Sequence, residues 1–191
     1  MKVGVLALQG AFREHREVLS DLGANAVEVR TPHELDAIDA LFLPGGESTT
    51  MTRLLDTSGL REPLESCLAD GLPAFATCAG LILLAREVLD GRPDQVPLHA
   101  IDVTVRRNAY GRQTESFEAP LAVEGLAGGS FPGVFIRAPV VESVGDTVEV
   151  LARHEDRAVL VRDGAIWAAT FHPELAGDLR LHQWFLQEVS A

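Results

Sequence analysis

The chain has 191 residues, of which 47% are hydrophobic and 23% charged, as is usual for a globular protein. Its 28 acidic and 16 basic residues give a formal charge of −12, which argues against nucleic acid or an anionic membrane as a partner. No apolar stretch approaches the roughly 20 residues of a membrane span. With two cysteines, no secretory leader and no zinc-type spacing, we expect a single domain over residues 1–191, in the cytoplasm and without a metal site.

The first half of the chain alternates apolar runs with amphipathic segments. Strands are predicted at Lys2–Leu8, Ala26–Arg30, Leu41–Leu43 and Leu72–Thr77, and helices at Ala11–Leu22, Thr50–Asp56, Leu60–Asp70 and Ala79–Leu89. A βαβ series of this kind predicts an α/β fold with an open, mostly parallel sheet covered by helices on both faces. Ligands of such sheets bind at the C-terminal ends of the strands.

Cys78 stands at the junction between the predicted strand Leu72–Thr77 and the predicted helix Ala79–Leu89. Small residues flank it at Ala76 and Gly80, as the sharp turn of a nucleophile elbow requires. The N-terminus of a helix also favours a thiolate over a thiol. The alternative is that Cys78 is a small buried hydrophobic residue, like many free cysteines. The turn by itself leaves the two interpretations balanced.

The segment Pro44–Ser48, PGGES, permits three interpretations. A glycine pair after a strand is by default a plain turn. A phosphate-binding loop is disfavoured because the segment matches neither G-x-G-x-x-G nor the Walker A motif, and no lysine follows. The third interpretation is an oxyanion hole, in which the N–H groups of Gly46 and Ala79 bind a tetrahedral oxyanion. We favour the third because the strand before Cys78 is expected in the same sheet.

Two arginines in the middle of the chain are candidates for binding a carboxylate. Half-buried strands are predicted there at Ile101–Arg107 and Ser116–Val123. Arg107 opens the polar loop between these strands, and Arg137 interrupts the apolar run Phe135–Pro139. A guanidinium group binds a carboxylate as a fork. The alternatives are a solvated surface arginine or a charge that protects an edge strand.

The last part of the chain predicts antiparallel strands and a final helix. The strands are Val148–Arg153, Ala158–Val161 and Ala165–Phe171, with a turn at Asp163-Gly164, and the helix is about Gly177–Val189. A lone histidine is most often structural, but Glu174 follows His172 by two residues, and such residues share a face of an extended chain. Glu174 is therefore predicted to bind one imidazole nitrogen and leave the other facing Cys78. His182, on the final helix, is predicted to lie at the surface.

Three motifs make the chain resemble the class I, triad-type glutamine amidotransferases: TCAG around Cys78, the PGGES loop, and FHPE at Phe171–Glu174. Longer segments resemble the glutaminase subunits of pyridoxal 5′-phosphate synthase: LALQGAFREH, LPGGESTTM, RRNAYGRQTESFEA and GVFIRAP. These segments span nearly the whole chain in the family's order, and RNAYGRQ and FIRAP are not shared with the wider amidotransferases. One departure is Ala76, where the family usually has glycine. We expect this change to be tolerated because alanine is also small.

The resemblance implies a flavodoxin-like sheet with a C-terminal antiparallel hairpin region. It implies hydrolysis of L-glutamine to L-glutamate and ammonia, with Cys78 as nucleophile, His172 as acid/base and Glu174 as its orienting partner. The glutamine-binding positions that it implies are Gly46, Glu47, Ser48, Arg107, Ile136 and Arg137. Ammonia would pass to a synthase subunit that makes pyridoxal 5′-phosphate, so this compound is a product and no cofactor is expected.

Two other functions remain open. One is a class I glutaminase that serves another biosynthetic pathway, against which the RNAYGRQ and FIRAP segments argue. The other is a catalytically silent regulatory homologue, which is disfavoured because all three triad residues and both glycines of PGGES are present.

Overall fold

The computed structural model describes residues 1–107 and 116–190, and a seven-stranded sheet lies at its centre. The strands are β1 (Lys2–Leu6), β2 (Asn25–Val29), β3 (Ala40–Leu43), β4 (Ala74–Thr77), β5 (Ala85–Val88), β6 (Ile101–Arg106), β7 (Ser116–Leu121), β8 (Phe131–Ile136), β9 (Val140–Val144), β10 (Glu149–His154), β11 (Arg157–Asp163) and β12 (Ile166–Ala169). The helices are α1 (Phe12–Asp21), α2 (Pro32–Leu35), α3 (Ser48–Thr57), α4 (Arg61–Ala69), α5 (Ala79–Leu84) and α6 (Arg180–Ser190), with a 3₁₀ turn at Pro173–Leu175.

The central sheet has the strand order β10-β11-β12-β4-β3-β1-β2. Strands β1 to β4 and β12 are parallel. Strand β11 pairs antiparallel with β12, and β10 pairs antiparallel with β11. The order of the parallel strands is that of a flavodoxin-like fold, in which the winding reverses between β1 and β3. The predicted fold class and the antiparallel C-terminal region are thus confirmed. Gly164, at the predicted turn between β11 and β12, has φ of 57°.

Helices cover both faces of the central sheet. On one face α1 and α6 pack over aromatic residues of the strands, which are Phe42, Phe75 and Trp167. On the other face α3, α4 and α5 pack over aliphatic residues of the same strands, among them Leu41, Leu43 and Ala76. Alternate residues of a strand point to opposite faces, so each parallel strand contributes to both cores. No helix among residues 1–107 and 116–190 is long and apolar enough to cross a bilayer.

The predicted helix Ala79–Leu89 was wrong in its second half. Helix α5 ends at Leu84, and the following residues form β5, which pairs parallel with β6. The N–H groups of Leu98 and Ala100 donate to the carbonyl oxygens of Leu83 and Leu84, at 2.6 and 2.9 Å. These carbonyls lie in the last turn of a helix and lack partners within it, so a distant segment decides where the helix stops.

Two small sheets lie beside the main one. One has the order β5-β6-β9, and the other is the antiparallel pair β7-β8. Strand β8 ends at Ile136, and Arg137 follows in a left-handed conformation with φ of 43°. The Asn108–Gln113 part of the predicted polar loop lies outside the described residues.

His182 is fully buried, so its predicted surface position was wrong. Its ring stacks on that of Phe42, with ring centroids 5.3 Å apart and an interplanar angle of 7°. On the final helix, His182 directly follows Leu181 and lies three residues before Phe185, and both of these side chains are buried. The three-residue spacing to Phe185 indicates the apolar face of a helix, whereas the polar side chain by itself favours the surface.

Candidate active site

Four neighbouring strands of the central sheet end at one cleft. In the order β12, β4, β3 and β1, the residues that follow them toward the cleft are His172, Cys78, Gly45 and Gln9. The cleft encloses about 470 Å³, the size of a small-molecule site. Its lining includes every residue predicted for the site except Glu174, which lies behind His172.

Cys78 has a backbone that L-residues rarely adopt. Its φ is 49° and its ψ is −104°, and its N–H donates to the carbonyl oxygen of Ala169 at 2.8 Å. Such a conformation costs about 1–3 kcal/mol and persists only where the surrounding structure enforces it. A side chain at Gly80 would collide with the carbonyl of Leu43, so the helix can approach β3 only because this residue is glycine. The strained turn directs the Cys78 thiol into the cleft, 3.9 Å from the carbonyl oxygen of Ile136.

His172 and Glu174 form a buried hydrogen-bonded pair. The N–H of His172 donates to the carbonyl oxygen of Val134 at 2.8 Å, which fixes the chain just beyond β12. Pro173 then begins the 3₁₀ turn, and this turn brings the Glu174 carboxylate back to the ring. The distance from His172 Nδ1 to Glu174 Oε1 is 2.7 Å. The other ring nitrogen, Nε2, is left for Cys78.

The pKa of His172 is raised to about 10. Burial works against the charged ring, but hydrogen bonds with Cys78 and Glu174, together with their charges, outweigh it. The pKa of Glu174 is lowered although the carboxylate is buried, because His15 and His172 both stabilise its charge. The ring of His172 therefore carries a proton at neutral pH, and the carboxylate behind it is ionised.

The two glycines of PGGES are required by close packing. A Cβ atom on Gly45 would collide with the His172 ring and would lie 3.3 Å from Cβ of Cys78. The carbonyl oxygen of Gly45 accepts a hydrogen bond from the N–H of Ala11 at 2.9 Å. A Cβ on Gly46 would lie 2.5 Å from Oε1 of Gln9. The glycine pair therefore fits between the residues after β1 and the histidine after β12.

Glu47 caps helix α3. Its carboxylate accepts hydrogen bonds from the N–H groups of Thr49 and Thr50, at 3.1 and 2.7 Å. Partial burial opposes its charge, but these hydrogen bonds lower the pKa of Glu47 to about 2. An ionised carboxylate at the N-terminus of a helix is also favoured by the helix dipole. The charged side chain thus stands at the rim of the cleft.

Gln95 connects two of the predicted substrate-binding residues and was missed in the sequence. Its amide nitrogen donates to Oγ of Ser48 at 2.8 Å, and its amide oxygen accepts from Nη1 of Arg107 at 2.5 Å. Nη2 of Arg107 lies 3.5 Å from Oε1 of Glu47. Gln95 is buried in an irregular segment with no periodic pattern, so nothing local distinguished it from a loop glutamine.

Arg137 is the exposed cation of the cleft. It lines the cleft, and within the described parts of the chain no carboxylate forms an ion pair with it. Arg107 is different, because its side chain is only 17% exposed and its guanidinium is already bound to Gln95 and Glu47. A carboxylate entering the cleft therefore finds an unoccupied fork at Arg137.

His15 is a second residue that the sequence analysis missed. It lies on α1, is fully buried, and places Nε2 3.5 Å from Oε2 of Glu174. Its position was recoverable from the sequence, because it lies three residues after Phe12 and four before Leu19 on the apolar face of the helix.

Residues 1–107 and 116–190 contain no group of three or more His, Cys, Asp or Glu side chains arranged to hold a metal ion.

Known proteins are similar to this chain over its full length. A model described as the SNO glutamine amidotransferase family matches residues 5–191. The "Pyridoxal 5′-phosphate synthase subunit PdxT" of Rhodococcus jostii is 57% identical over 98% of this chain and 96% of that protein. The protein of the same name from Salinispora arenicola is 55% identical over 99% and 96%.

Solved structures are similar as well. One described as a glutamine amidotransferase superposes with a TM-score of 0.94 at 52% identity, over all of both chains. A putative GMP synthase protein from Thermoplasma acidophilum, at 17% identity, has a TM-score of 0.71 over 100% of this chain and 94% of that one. The second likeness concerns the fold alone.

Proposed function

This chain belongs to the SNO glutamine amidotransferase family, and on that premise we propose that it is the glutaminase subunit of a pyridoxal 5′-phosphate synthase. It hydrolyses L-glutamine to L-glutamate and ammonia, and a separate synthase subunit consumes the ammonia. Relatives more than half identical over nearly the full length carry that name, which supports this pathway over another one. Pyridoxal 5′-phosphate is the product of the complex, and the chain itself needs no cofactor. We place the reaction in the cytoplasm.

One observation carries the proposal. A cysteine on a strained strand-to-helix turn shares a cleft with a histidine–carboxylate pair and a glycine-rich loop, and all of them lie at the ends of adjacent strands. This is the arrangement of a nucleophile, a base with its orienting group, and backbone donors for an oxyanion. A catalytically silent homologue has no need of a positive φ at Cys78, which costs stability.

The first half of the reaction forms a thioester. The sulfur of Cys78, as the thiolate, attacks the side-chain amide carbon of glutamine and forms a tetrahedral oxyanion. The backbone N–H groups of Gly46 and Ala79 donate to that oxygen. As the C–N bond breaks, the protonated ring of His172 gives its proton to the leaving nitrogen, and ammonia departs. A γ-glutamyl thioester remains on Cys78.

The second half releases glutamate. His172, now neutral, takes a proton from a water molecule as that water attacks the thioester carbon. A second oxyanion forms in the same site and collapses, and the carbon–sulfur bond breaks. Glutamate leaves, and Cys78 and His172 return to their starting charge states. Glu174 holds the ring in one orientation throughout, since its bond to Nδ1 is made before substrate binds.

The cleft also offers groups for the other end of glutamine. We assign the α-carboxylate to Arg137, which has an unoccupied guanidinium, and the α-amino group to the carbonyl of Ile136 and the carboxylate of Glu47. Ser48 and Arg107 then act through Gln95 and Glu47 as the rigid wall behind the substrate. An ammonium needs acceptors and a carboxylate needs donors, and this division satisfies both.

The direct test is glutamate release by Cys78→Ala, assayed with the synthase subunit present. The variant should fold normally and produce no glutamate above background, since no other group in the cleft replaces the thiolate. Cys67→Ala is the matched control and should keep full activity. Burial and the nearby charges of Asp36 and Asp70 raise the pKa of the Cys67 thiol, so a glutamine-like alkylating agent should label Cys78 alone. Glutamate production by a folded Cys78→Ala protein would refute the assignment.

Substitutions of the other two triad residues should reduce activity to different extents. His172→Asn should be nearly as damaging as Cys78→Ala, because both the acid and the base are lost. Glu174→Gln should retain about 10–100 times more activity than His172→Asn, since an orienting group contributes less than the base it positions. Single-turnover kinetics on all three variants measure this order, and equal losses for Glu174→Gln and His172→Asn would contradict it.

A further inference from the structure

A pair of buried histidines lies directly behind Glu174, and the reaction described above does not use them. His15 comes from α1 and His182 from α6, and both are fully buried. His15 Nδ1 lies 3.1 Å from His182 Nε2. His15 Nε2 lies 3.1 Å from Oγ1 of Thr77 and 3.5 Å from Oε2 of Glu174. The row of side chains therefore continues from the triad into the core.

Unpaired atoms fix the direction of the hydrogen bonds in this row. Within the described residues, Nδ1 of His182 has no hydrogen-bond partner. A buried N–H without an acceptor costs more than a bare ring nitrogen, so the proton of His182 resides on Nε2. That N–H donates to Nδ1 of His15. The proton of His15 is then on Nε2, and it points to Thr77 and Glu174.

Both histidines are neutral at physiological pH. Burial lowers the pKa of His15, against the attraction of Glu174 and Glu14 and together with the repulsion of His172. Burial also lowers the pKa of His182, to about 3. The groups that face Glu174 are thus a protonated His172 on one oxygen and a neutral N–H of His15 near the other. The Oε2 atom has no hydrogen-bond partner within 1–107 and 116–190, and Nε2 of His15 lies 3.5 Å from it.

We propose that His15 is a positioning residue of the glutaminase reaction, which holds the second oxygen of Glu174 through an N–H whose tautomer is set by His182. With Oε2 held from behind, Oε1 stays on Nδ1 of His172, and the ring keeps Nε2 toward Cys78. The alternative is an inert core pair satisfied by Thr77. This inference rests on the proposed glutaminase function, and the measurements below separate the two.

The tautomers are tested first, in the unaltered protein. Nitrogen-15 NMR of histidine-labelled chain should show His15 and His182 as neutral rings protonated at Nε2 over the pH range of about 6–8, assigned with the Leu and Gln variants of each. This readout needs neither substrate nor synthase. A His15 ring protonated at Nδ1 overturns the proposal, because no N–H then faces Glu174.

Activity is tested with His15→Leu and His15→Gln in the complex with the synthase subunit. Glutamine places an amide N–H near the position of Nε2, whereas leucine provides only bulk. His15→Leu should lower kcat about tenfold or more with little change in KM for glutamine, and His15→Gln should recover most of that loss. If the His15→Gln protein folds but its kcat is as low as that of His15→Leu, the proposal is overturned.

The pH profile separates positioning from packing. Without the N–H, Glu174 binds a proton more readily in its apolar surroundings, so the acid limb of kcat/KM should move to higher pH in His15→Leu and return in His15→Gln. Leu19→Ala is the control, because it removes a buried side chain from the same face of α1 and should reduce stability without moving the limb. If the acid limb of kcat/KM does not move in His15→Leu, this inference is refuted, and the proposed glutaminase function is unaffected. A wild-type complex without glutaminase activity refutes the proposed function, whatever the tautomers.

Discussion

At the scale of single residues, the charge of His172 depends on its two neighbours. Its pKa is raised to about 10, so the proton is present below that pH and lost as the pH rises through it. Burial acts in the opposite direction, and the raised value therefore reflects Cys78 and Glu174 rather than the shape of the cleft. An acid that stays protonated through neutral pH suits the departure of ammonia.

We therefore expect the activity of the complex to hold through neutral pH and to fall as the pH approaches the His172 pKa of about 10. In Cys78→Ala the hydrogen bond and the charge of the Cys78 thiolate are lost while burial remains, so the pKa of His172 should move down. Proton NMR of the imidazole C–H against pH measures this shift, with Cys67→Ala as the control. An unchanged pKa in Cys78→Ala would show that Glu174 alone sets the charge of the ring.

Arg137 is predicted to hold the carboxylate of glutamine, and its loss should weaken binding more than chemistry. Arg137→Ala should raise KM for glutamine roughly tenfold or more and change kcat much less, the pattern of lost uniform binding. Arg53→Ala is the control, since Arg53 is an exposed arginine paired with Asp94 away from the cleft lining. If KM stays constant and only binding of the synthase weakens, Arg137 belongs to the interface instead.

At the scale of elements, the site depends on how closely the loop after β3 approaches the end of β12. Gly45 lies against the His172 ring and beside Cys78, and the loop is held from the other side by the N–H of Ala11. The interior of a folded protein is close-packed, so a single added methyl group at such a contact must displace something.

Gly45→Ala should displace the His172 ring and reduce glutamine hydrolysis about 100-fold or more, because the orientation of the base is lost. Thermal stability should fall far less, since the loop lies beyond the C-terminal end of β3 and outside the sheet itself. Gly91→Ala is the control, because its new methyl group would meet only Val88, with side-chain atoms at 3.3 and 3.5 Å. Parallel kinetics and thermal unfolding of the two variants decide the point. Normal activity in Gly45→Ala would show that the ring adjusts freely.

At the scale of the whole molecule, we predict that binding of the synthase subunit completes the active site. A glutaminase that worked alone would waste glutamine, so coupling to the synthase needs a switch. The peptide between Gly45 and Gly46 is the proposed element, because neither residue has a Cβ that resists rotation. Rotation would break the hydrogen bond from Ala11 to Gly45, a cost of about 0.5–1.5 kcal/mol. Gln9 and Gly10, at the same rim, are candidate contacts for the partner.

We expect the isolated chain to fold but to hydrolyse glutamine slowly, and the synthase subunit to raise kcat at least tenfold. Removing one oxyanion donor costs about 10²–10³ in rate, which is enough to silence the free chain. The partner can shift the equilibrium between the two orientations of the peptide only by as much as its affinities for them differ. Titrating the synthase into the chain at saturating glutamine measures the effect. Equal kcat for the free and the bound chain would leave Gly45-Gly46 a static loop.

The sequence by itself determined the features that depend on near neighbours in the chain. The alternation of strands and helices predicted the open parallel sheet, because a periodic pattern shows which face of a segment is buried. The small residues around Cys78 and the two-residue spacing of His172 and Glu174 predicted a turn and a hydrogen bond, and both are formed. The family resemblance added the identity of the substrate.

Only the tertiary structure decided what depends on residues far apart in the chain. Helix α5 stops at Leu84 because a later segment of the chain takes its last carbonyl groups, as the pairs Leu83–Leu98 and Leu84–Ala100 show. Gln95 likewise hydrogen-bonds with Ser48 and Arg107, which belong to other segments of the chain. The burial of His15 and His182 was visible as helical spacing, but their contact with Glu174 was not, because α1, α6 and the 3₁₀ turn meet only when the sheet is assembled. Local pattern fixes which face of an element is buried, and packing alone fixes what that face touches.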